Sequence, residues 1–509
     1  MQKNYYSIID IGSNTMRLVV YAQDKSGRLH EVENTKAVAR LRNYLEEDNI
    51  LNQKGITRMV DTLKSFKDVV DTYELNELVC VATATIRQAK NNQKIKEIVM
   101  EEVGWEMRIL SEEEEAYYGY LAVVNSTSIT EGITIDIGGG STEVTYFKDR
   151  LLVNSHSFPF GALTLKDFLT GNKSMEKKQI KLRAYLLEQF NTLDWLVDRQ
   201  LPLIGIGGSA RNLAQIHQSR ENYPLAGLHQ YQMNDSDIAE ITSYLSSLCE
   251  EELGKVEGLS DDRVDTIIPA ANVFLCLYQM IDATTFVLSR KGLRDGVFYE
   301  QMTNHLESPL YPNVLEDSIE DLVHEYNLNE TQIHHVQFLT KKLLEELQIN
   351  GLGSLTRHDW ELLDRACYVY NLGQYIDSES SAQHTFYLLA NRTIDGLMHI
   401  DRLKLALIAS FKNKTVFNQF IDPFHSWFLK KERKKLYTLG SLLKFTYSLD
   451  ATKRQVVQDF DFEMIKSDTI KLTLYCNNDF KPEEYQANKQ KNHLEKALQK
   501  NIELKFVLN

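Results

Sequence analysis

The chain has 509 residues, a net charge of −14, and 43% apolar and 25% charged residues, which excludes a disordered or collagen-like chain and exceeds what one core can organise. Three or four domains are expected at this length. Residues 401–509 hold 20 Lys and Arg against 13 Asp and Glu, whereas the preceding 400 hold 37 against 58; so acidic a front region argues against a nucleic-acid partner.

The first 125 residues alternate strand and helix patterns. "YSIIDIGS", "RLVVYAQ" and "GRLHEVENT" predict a three-strand meander with turns at Gly12 and at residues 24–27. "QKGITRMVDTLKSFKDVVDTY" spaces its apolar residues helically, and "ELVCVATAT" reads as a buried strand. A helix over about 88–102, the strand "EMRIL" and the helix "SEEEEAYYGYLAVV" follow. The scheme then repeats: strand, turn, strand, strand over 132–159, a helix over 175–198, and "LPLIGIGGSARNLA", a strand entering a Gly-rich turn and helix. By position the echo is strong, with D-I-G-S-N-T at 10–15 and D-I-G-G-G-S-T at 136–142. It predicts two copies of one α/β unit facing each other across a cleft. A break falls at "LESPLYPNV"; residues 315–447 are helical in pattern, and the last 60 return to strands around a helix at 482–500. The expected domains are 1–124, 125–306, 307–448 and 449–509.

No run of about 18 apolar residues predicts a membrane span, and "MQKNYYSIID" does not read as a secretory signal. Five scattered cysteines without a C-x-x-C pair fit reduced thiols, a cytoplasmic location and no zinc site.

"TIDIGGGSTEVT" (134–145) carries Asp136 on a strand into three glycines, then Ser141, Thr142 and Glu143. Glycines let backbone N–H groups approach an anion, and phosphate is the usual occupant. Two carboxylates beside phosphate require a cation between them, so Asp136 and Glu143 read as ligands of Mg²⁺. The plain alternative is a tight turn and nothing more. Neither turn matches a P-loop or a dinucleotide fingerprint. Two such turns gripping one phosphate chain resemble the actin-like (RNase H-like) phosphotransferase superfamily.

"DIGSNTMRLVV", "ATATIRQAKN", "ILSEEEEAYYGY", "IDIGGGSTEV", "GIGGSARNLA", "DRVDTIIPAA" and "GLRDGVFYE", in this order over residues 5–305, resemble the exopolyphosphatase / guanosine pentaphosphate phosphohydrolase (Ppx/GppA) family. The resemblance implies an α/β fold of two actin-like domains, then an all-helical HD-like domain and a small α/β C-terminal domain. It implies that Glu115 is the catalytic base and that Asp136, Glu143 and Asp10 are metal-binding acids. Ser13, Asn14, Gly138, Gly139, Gly140 and Ser141 would hold phosphate oxygens, and Arg87 would neutralise charge on the chain. Four successive glutamates, Glu112 to Glu115, would repel one another and raise some of their pKa values; the alternative is a solvated helix start favoured by the dipole. "GIGGS" is either a nucleotide-type turn or a helix cap, and Arg294 a supporting group.

Two departures stand out. Relatives usually show R-L-G-E-G-L at the substrate entrance, where this chain has "RLRNYL", with Arg42, Asn43 and Tyr44. In the HD-like region Tyr370 and Asn371 stand where a metal-binding His-Asp pair would be, leaving His335 and His384 as core histidines and a degraded metal site. The basic "LKKERKKLY" places Lys430, Lys431, Arg433, Lys434 and Lys435 together, as either a distal polyphosphate track or a solvated helix face.

The expected function is Mg²⁺-dependent removal of terminal orthophosphate from inorganic polyphosphate, with K⁺ an open second ion and a homodimer the implied assembly. The first alternative is hydrolysis of the 5′-terminal phosphate of guanosine pentaphosphate. The second, of another class, is a polyphosphate or nucleotide sensor without turnover.

Overall fold

The alternating apolar residues near the start build a meander of β1 (Asn4–Ile11), β2 (Thr15–Gln23) and β3 (Leu29–Val38), paired antiparallel with Asp10 opposite Arg17. The computed structural model describes residues 4–23, 29–171, 174–303, 308–353 and 355–508; the turn expected at 24–27 and the boundary expected at 306/307 lie outside them. β4 (Leu75–Ala82) and β5 (Met107–Ile109) extend β1's other edge in parallel, giving the order β3-β2-β1-β4-β5. Parallel neighbours need crossovers, which helices Gln53–Val70 and Asn92–Val103 supply. The former begins where Asn52 accepts a hydrogen bond from the Gly55 N–H, and buries Ile56, Met59, Leu63, Phe66 and Val70 against the sheet. The helical stretch here comes in two pieces, Ala84–Gln88, where the strand reading runs on to Thr85, and Asn92–Val103, the helix expected over 88–102. Asn91 interrupts it because its side chain bonds both the N–H and the carbonyl of Leu51.

β6 (Gly132–Ile137), β7 (Thr142–Lys148) and β8 (Leu151–Phe158) repeat the meander, and β9 (Leu203–Ile206) and β11 (Phe286–Leu288) repeat the parallel extension. The short β10 (Gln232–Met233) adds an antiparallel edge, so the order is β10-β11-β9-β6-β7-β8. Without β10 it is the order of the first sheet, so the repeat in sequence is a repeat in topology.

The two copies are interlocked, which the boundary at 124/125 did not anticipate. Helix Glu112–Val124 packs on β6, β7 and β8 and against helix Leu293–Thr303. Its Tyr120 hydroxyl donates to the Arg150 carbonyl at 2.6 Å. In return, Phe298 of the second helix stacks on Tyr21 of β2 at 4.3 Å between centroids. The cause is visible in "AYYGYLAVV": the helix is apolar on all sides, and only a position between layers buries such a helix.

The chain divides into two compact units, residues 1–223 with 228–314, and residues 224–227 with 315–509. The second unit holds the helices from Val314–Glu325 to Lys430–Ser448 and a three-stranded sheet. In that sheet β12 (Val457–Lys466) pairs antiparallel with β13 (Thr469–Cys476), and β14 (Asn501–Leu508) returns parallel through helix Lys481–Leu498. Tyr370 is buried at the end of helix Arg357–Val369, and Asn371 follows at φ 58°. His335 and His384, expected as core histidines, are both half-buried, and His335 Nε2 is enclosed without a hydrogen-bond partner among the described residues.

Candidate active site

The two turns that end β1 and β6 are built alike. The Gly12 N–H donates to the Thr15 carbonyl at 3.0 Å, and the Gly138 N–H donates to the Ser141 carbonyl at 2.9 Å. Ser13 therefore corresponds to Gly139 and Asn14 to Gly140. The turns face each other closely: a Cβ on Gly139 would stand 3.3 Å from the Ser13 Cβ. The Gly138 and Gly139 carbonyls accept from the N–H groups of Ala162 and Leu163 at 2.9 and 3.1 Å, which ties down one side of the second turn. Gly161 allows this approach, since a Cβ there would meet the Gly138 carbonyl oxygen at 2.6 Å. No backbone carbonyl among the described residues takes the N–H groups of Ser13, Asn14, Gly139 or Gly140. Open backbone donors of this kind can receive an anion. Gly138 is a correction to the expected set, because its N–H closes the turn. The Asn14 amide is turned 3.5 Å from Asp262 Oδ2, so its backbone rather than its side chain is available.

Register decides the charges beside the turns. In the first copy Asp10 lies opposite Arg17; in the second, Asp136 lies opposite Glu143. Opposed like charges destabilise a strand pair, so the second pair marks a site kept for chemistry. Burial pushes Asp136 up to about 6, against the pull of Arg263 and with a further push from Asp10. Burial also raises the Glu143 carboxyl, which Ser141 and Ser157 hydroxyls hold in place, the latter at 3.0 Å. Burial likewise raises Asp10, although Arg294 stands 3.8 Å away.

Glu115 completes the group. It sits in the first turn of helix Glu112–Val124, with its side chain 10% exposed and bonded to the Arg87 guanidinium. Burial raises its carboxyl, the Glu143 charge raises it further, and Arg87 opposes both. Its glutamate neighbours are not the cause, contrary to the repulsion expected from the sequence. Glu114 closes a capping box with Ser111 and pairs with Arg108, so its carboxyl is lowered, as is that of Glu113. Arg87 is fixed by a 2.9 Å bond to the Leu110 carbonyl, and its Nη2 is buried without a hydrogen-bond partner.

Sequence reasoning read Arg294 as a supporting group but assigned no role to Arg17, Arg211, Arg263 or Arg290, which lie near it. Arg211 is brought down to about 10, first by burial and then by Arg290, Arg17, Arg294 and Arg263 around it. Arg211 Nε and Arg294 Nη1 are buried and have no hydrogen-bond partner among the described residues. Unpaired buried donors are costly, and their convergence suits a polyanion. "GIGGS" serves this cluster. Gly207 has φ +82° and a Cβ there would collide with the Asp136 carboxylate, while one on Gly208 would collide with the Arg263 guanidinium.

No three His, Cys, Asp or Glu among the described residues could hold a metal ion by themselves. Mg²⁺ does not need such a cage: one or two carboxylates with phosphate oxygens and water suffice. Asp136 and Glu143 fit that requirement, whereas Asp10 already faces two guanidinium groups.

In the second unit, Lys435 pairs with Asp359 at 2.8 Å, which corrects its inclusion in an anion track. Lys430, Lys431 and Lys434 are exposed and Arg433 half-buried on the first turns of helix Lys430–Ser448.

Comparison with known proteins follows the same division. Residues 19–305 match the Ppx/GppA phosphatase family and residues 314–500 match Ppx/GppA phosphatase, domain III. A guanosine-5'-triphosphate,3'-diphosphate pyrophosphatase of Pseudoalteromonas translucida (strain TAC 125) is 24% identical over 80% of each chain. The crystal structure of the Aquifex aeolicus member of the Ppx/GppA family is 25% identical, with TM-score 0.54 over 60% of this chain and all of that one. An exopolyphosphatase from Cytophaga hutchinsonii, 21% identical with TM-score 0.53 over 59% of this chain and 98% of its own, shares the fold.

Proposed function

The chain belongs to the Ppx/GppA phosphatase family, and from that membership and the geometry of the cleft we propose that it is an exopolyphosphatase. It removes orthophosphate from the end of inorganic polyphosphate between the two α/β copies. The observation that carries the proposal is the opposed pair Asp136 and Glu143 beside two turns with open N–H donors, with Glu115 within electrostatic range.

The terminal phosphate enters between the turns, where the N–H groups of Ser13, Asn14, Gly139 and Gly140 bind its oxygens and hold the phosphorus in line with a water. Glu115 takes the water's proton as the water oxygen bonds to phosphorus. The bond from that phosphorus to the bridging oxygen breaks, and its electron pair leaves on the shortened chain. A carboxyl raised by burial holds a proton better than a solvated one, which suits a base near neutral pH. Arg87 opposes the rise of the Glu115 carboxyl, and its Nη2, which has no hydrogen bond and only a 3.6 Å ion pair with Glu112, can turn to the chain. Asp136 and Glu143 would hold Mg²⁺, which when bound neutralises charge on the phosphate oxygens. Arg17, Arg211, Arg263 and Arg294 face the remaining negative charge.

Cations on the first turns of a helix oppose its dipole, so Lys430, Lys431, Arg433 and Lys434 gain from a bound anion, which supports a polymeric substrate. A cytoplasmic homodimer fits this reading; no helix among the described residues is long and apolar enough to cross a membrane. A second reading, hydrolysis of the 5′-terminal phosphate of guanosine pentaphosphate, is favoured by the Pseudoalteromonas relative. The test is phosphate release from both substrates side by side, with and without Mg²⁺. Faster Mg²⁺-dependent release from polyphosphate is expected; release from guanosine pentaphosphate alone would select the second reading, and release from neither would overturn both.

A further inference from the structure

The entrance segment "RLRNYL" is the motif that the proposed chemistry leaves unused. The structure stitches it to the first turn: the Ala39 and Arg40 N–H groups donate to the Asn14 carbonyl at 3.1 and 2.8 Å, and the Arg42 N–H donates to the Ser13 carbonyl at 3.2 Å. Arg40 accepts a left-handed conformation, φ 48° and ψ 46°, to make this possible. The Arg42 side chain then crosses to the second turn. A Cβ placed on Gly140 would lie 3.9 Å from both Cζ and Nη1 of Arg42. One residue thus bonds the first phosphate turn through its backbone and lays its guanidinium beside Gly140 of the second.

The partner of that guanidinium is neutral. Arg42 Nη1 donates to Gln88 Oε1, and no carboxylate among the described residues pairs with it. An amide fixes the fork without cancelling its charge, and the remaining N–H groups stay available. An arginine fork matches phosphate oxygens two at a time.

We propose that Arg42 is a substrate-binding, specificity-determining residue that binds the terminal phosphate of an oligophosphate from the Gly140 side of the cleft. This rests on the reading of the cleft as a phosphoanhydride site. Arg42 raises affinity for the phosphate chain in ground state and transition state alike, so its removal acts on KM and not on kcat.

The experiment titrates sodium tripolyphosphate and Mg²⁺ into the full chain carrying Glu115→Gln, so that binding is read without turnover, and repeats it with Arg42→Gly, Arg42→Lys or Gln88→Glu added. Arg42→Gly is expected to weaken binding about tenfold to a hundredfold, the range for charge-assisted hydrogen bonds. Gln88→Glu is expected to weaken it as well, because it neutralises the guanidinium in place, and Arg42→Lys to recover part of the loss. Steady-state rates with Glu115 intact should show the same ratio in KM, with kcat changed less than about threefold. Binding within twofold of the parent for both Arg42→Gly and Gln88→Glu, or an effect on kcat alone, would overturn the proposal. The two ideas fail separately: a parent that binds tripolyphosphate through Arg42 but releases no phosphate with Glu115 present contradicts the hydrolase reading and not the binding role.

Discussion

Replacing Asp136 by Asn should make the protein more stable when no divalent cation is present. Burial holds the Asp136 carboxyl at about 6 rather than 3.8. One pKa unit is worth about 1.36 kcal/mol, so ionising this group in the folded state costs about 3 kcal/mol before screening. Asp136 keeps some contact with solvent, and screening brings the figure to about 1–2 kcal/mol. The sign follows from proton linkage. Because the folded state holds its proton more tightly than the unfolded chain, stability falls as pH rises from about 4 through about 6. Asn cannot ionise, so the gain of Asp136→Asn should be near zero at pH 4 and full at pH 8. Hydrogen exchange of the β6 and β7 amides with a chelator present reports this sheet rather than the whole chain. Mg²⁺ should slow exchange in the parent and have little effect in the variant. Equal protection of both proteins at pH 8 without metal would refute the reasoning.

Two further outcomes follow from the same geometry. The acidic limb of the pH–rate profile should lie well above the ordinary glutamate value of 4.5, because the Glu115 carboxyl is raised; Arg87→Ala should move that limb to higher pH, and a limb unmoved by Arg87→Ala would detach it from Glu115. Gly207→Ala should cut turnover at least tenfold and weaken Mg²⁺ stabilisation, since its Cβ enters the Asp136 carboxylate, whereas Gly104→Ala, at φ +81° with nothing within 4 Å, should lower stability by about 1 kcal/mol and spare activity; matched activities for the two would exclude a special role for Gly207.

Much of the site was legible before the coordinates. The two D-I-G turns, their corresponding positions and the strand order around them follow from the repeat, because turn length and period-two alternation fix register locally. That logic even contains the contrast between Asp10 opposite Arg17 and Asp136 opposite Glu143. Ser111 and Glu114 also carry a capping-box spacing that separates Glu114 from Glu115. What could not be read depends on packing between distant segments. Arg211, Arg263, Arg290 and Arg294 meet only after β9, β11 and three helices are placed, and no local pattern marks their convergence. Helix Glu112–Val124 was grouped with residues 1–124 because it follows β5 of the first sheet, yet it packs on β6, β7 and β8 of the second. Its uniform apolarity was the signal that it lies between layers. Lys435 looked like its basic neighbours, and only the fold brings Asp359 to it.

The most direct measurement is phosphate release by Glu115→Gln against the parent, with polyphosphate, Mg²⁺ and circular dichroism to confirm folding. The account predicts a fall in kcat of about 10²–10⁴, the usual contribution of a general base, with substrate binding retained. A folded variant that keeps near-parental kcat would contradict it.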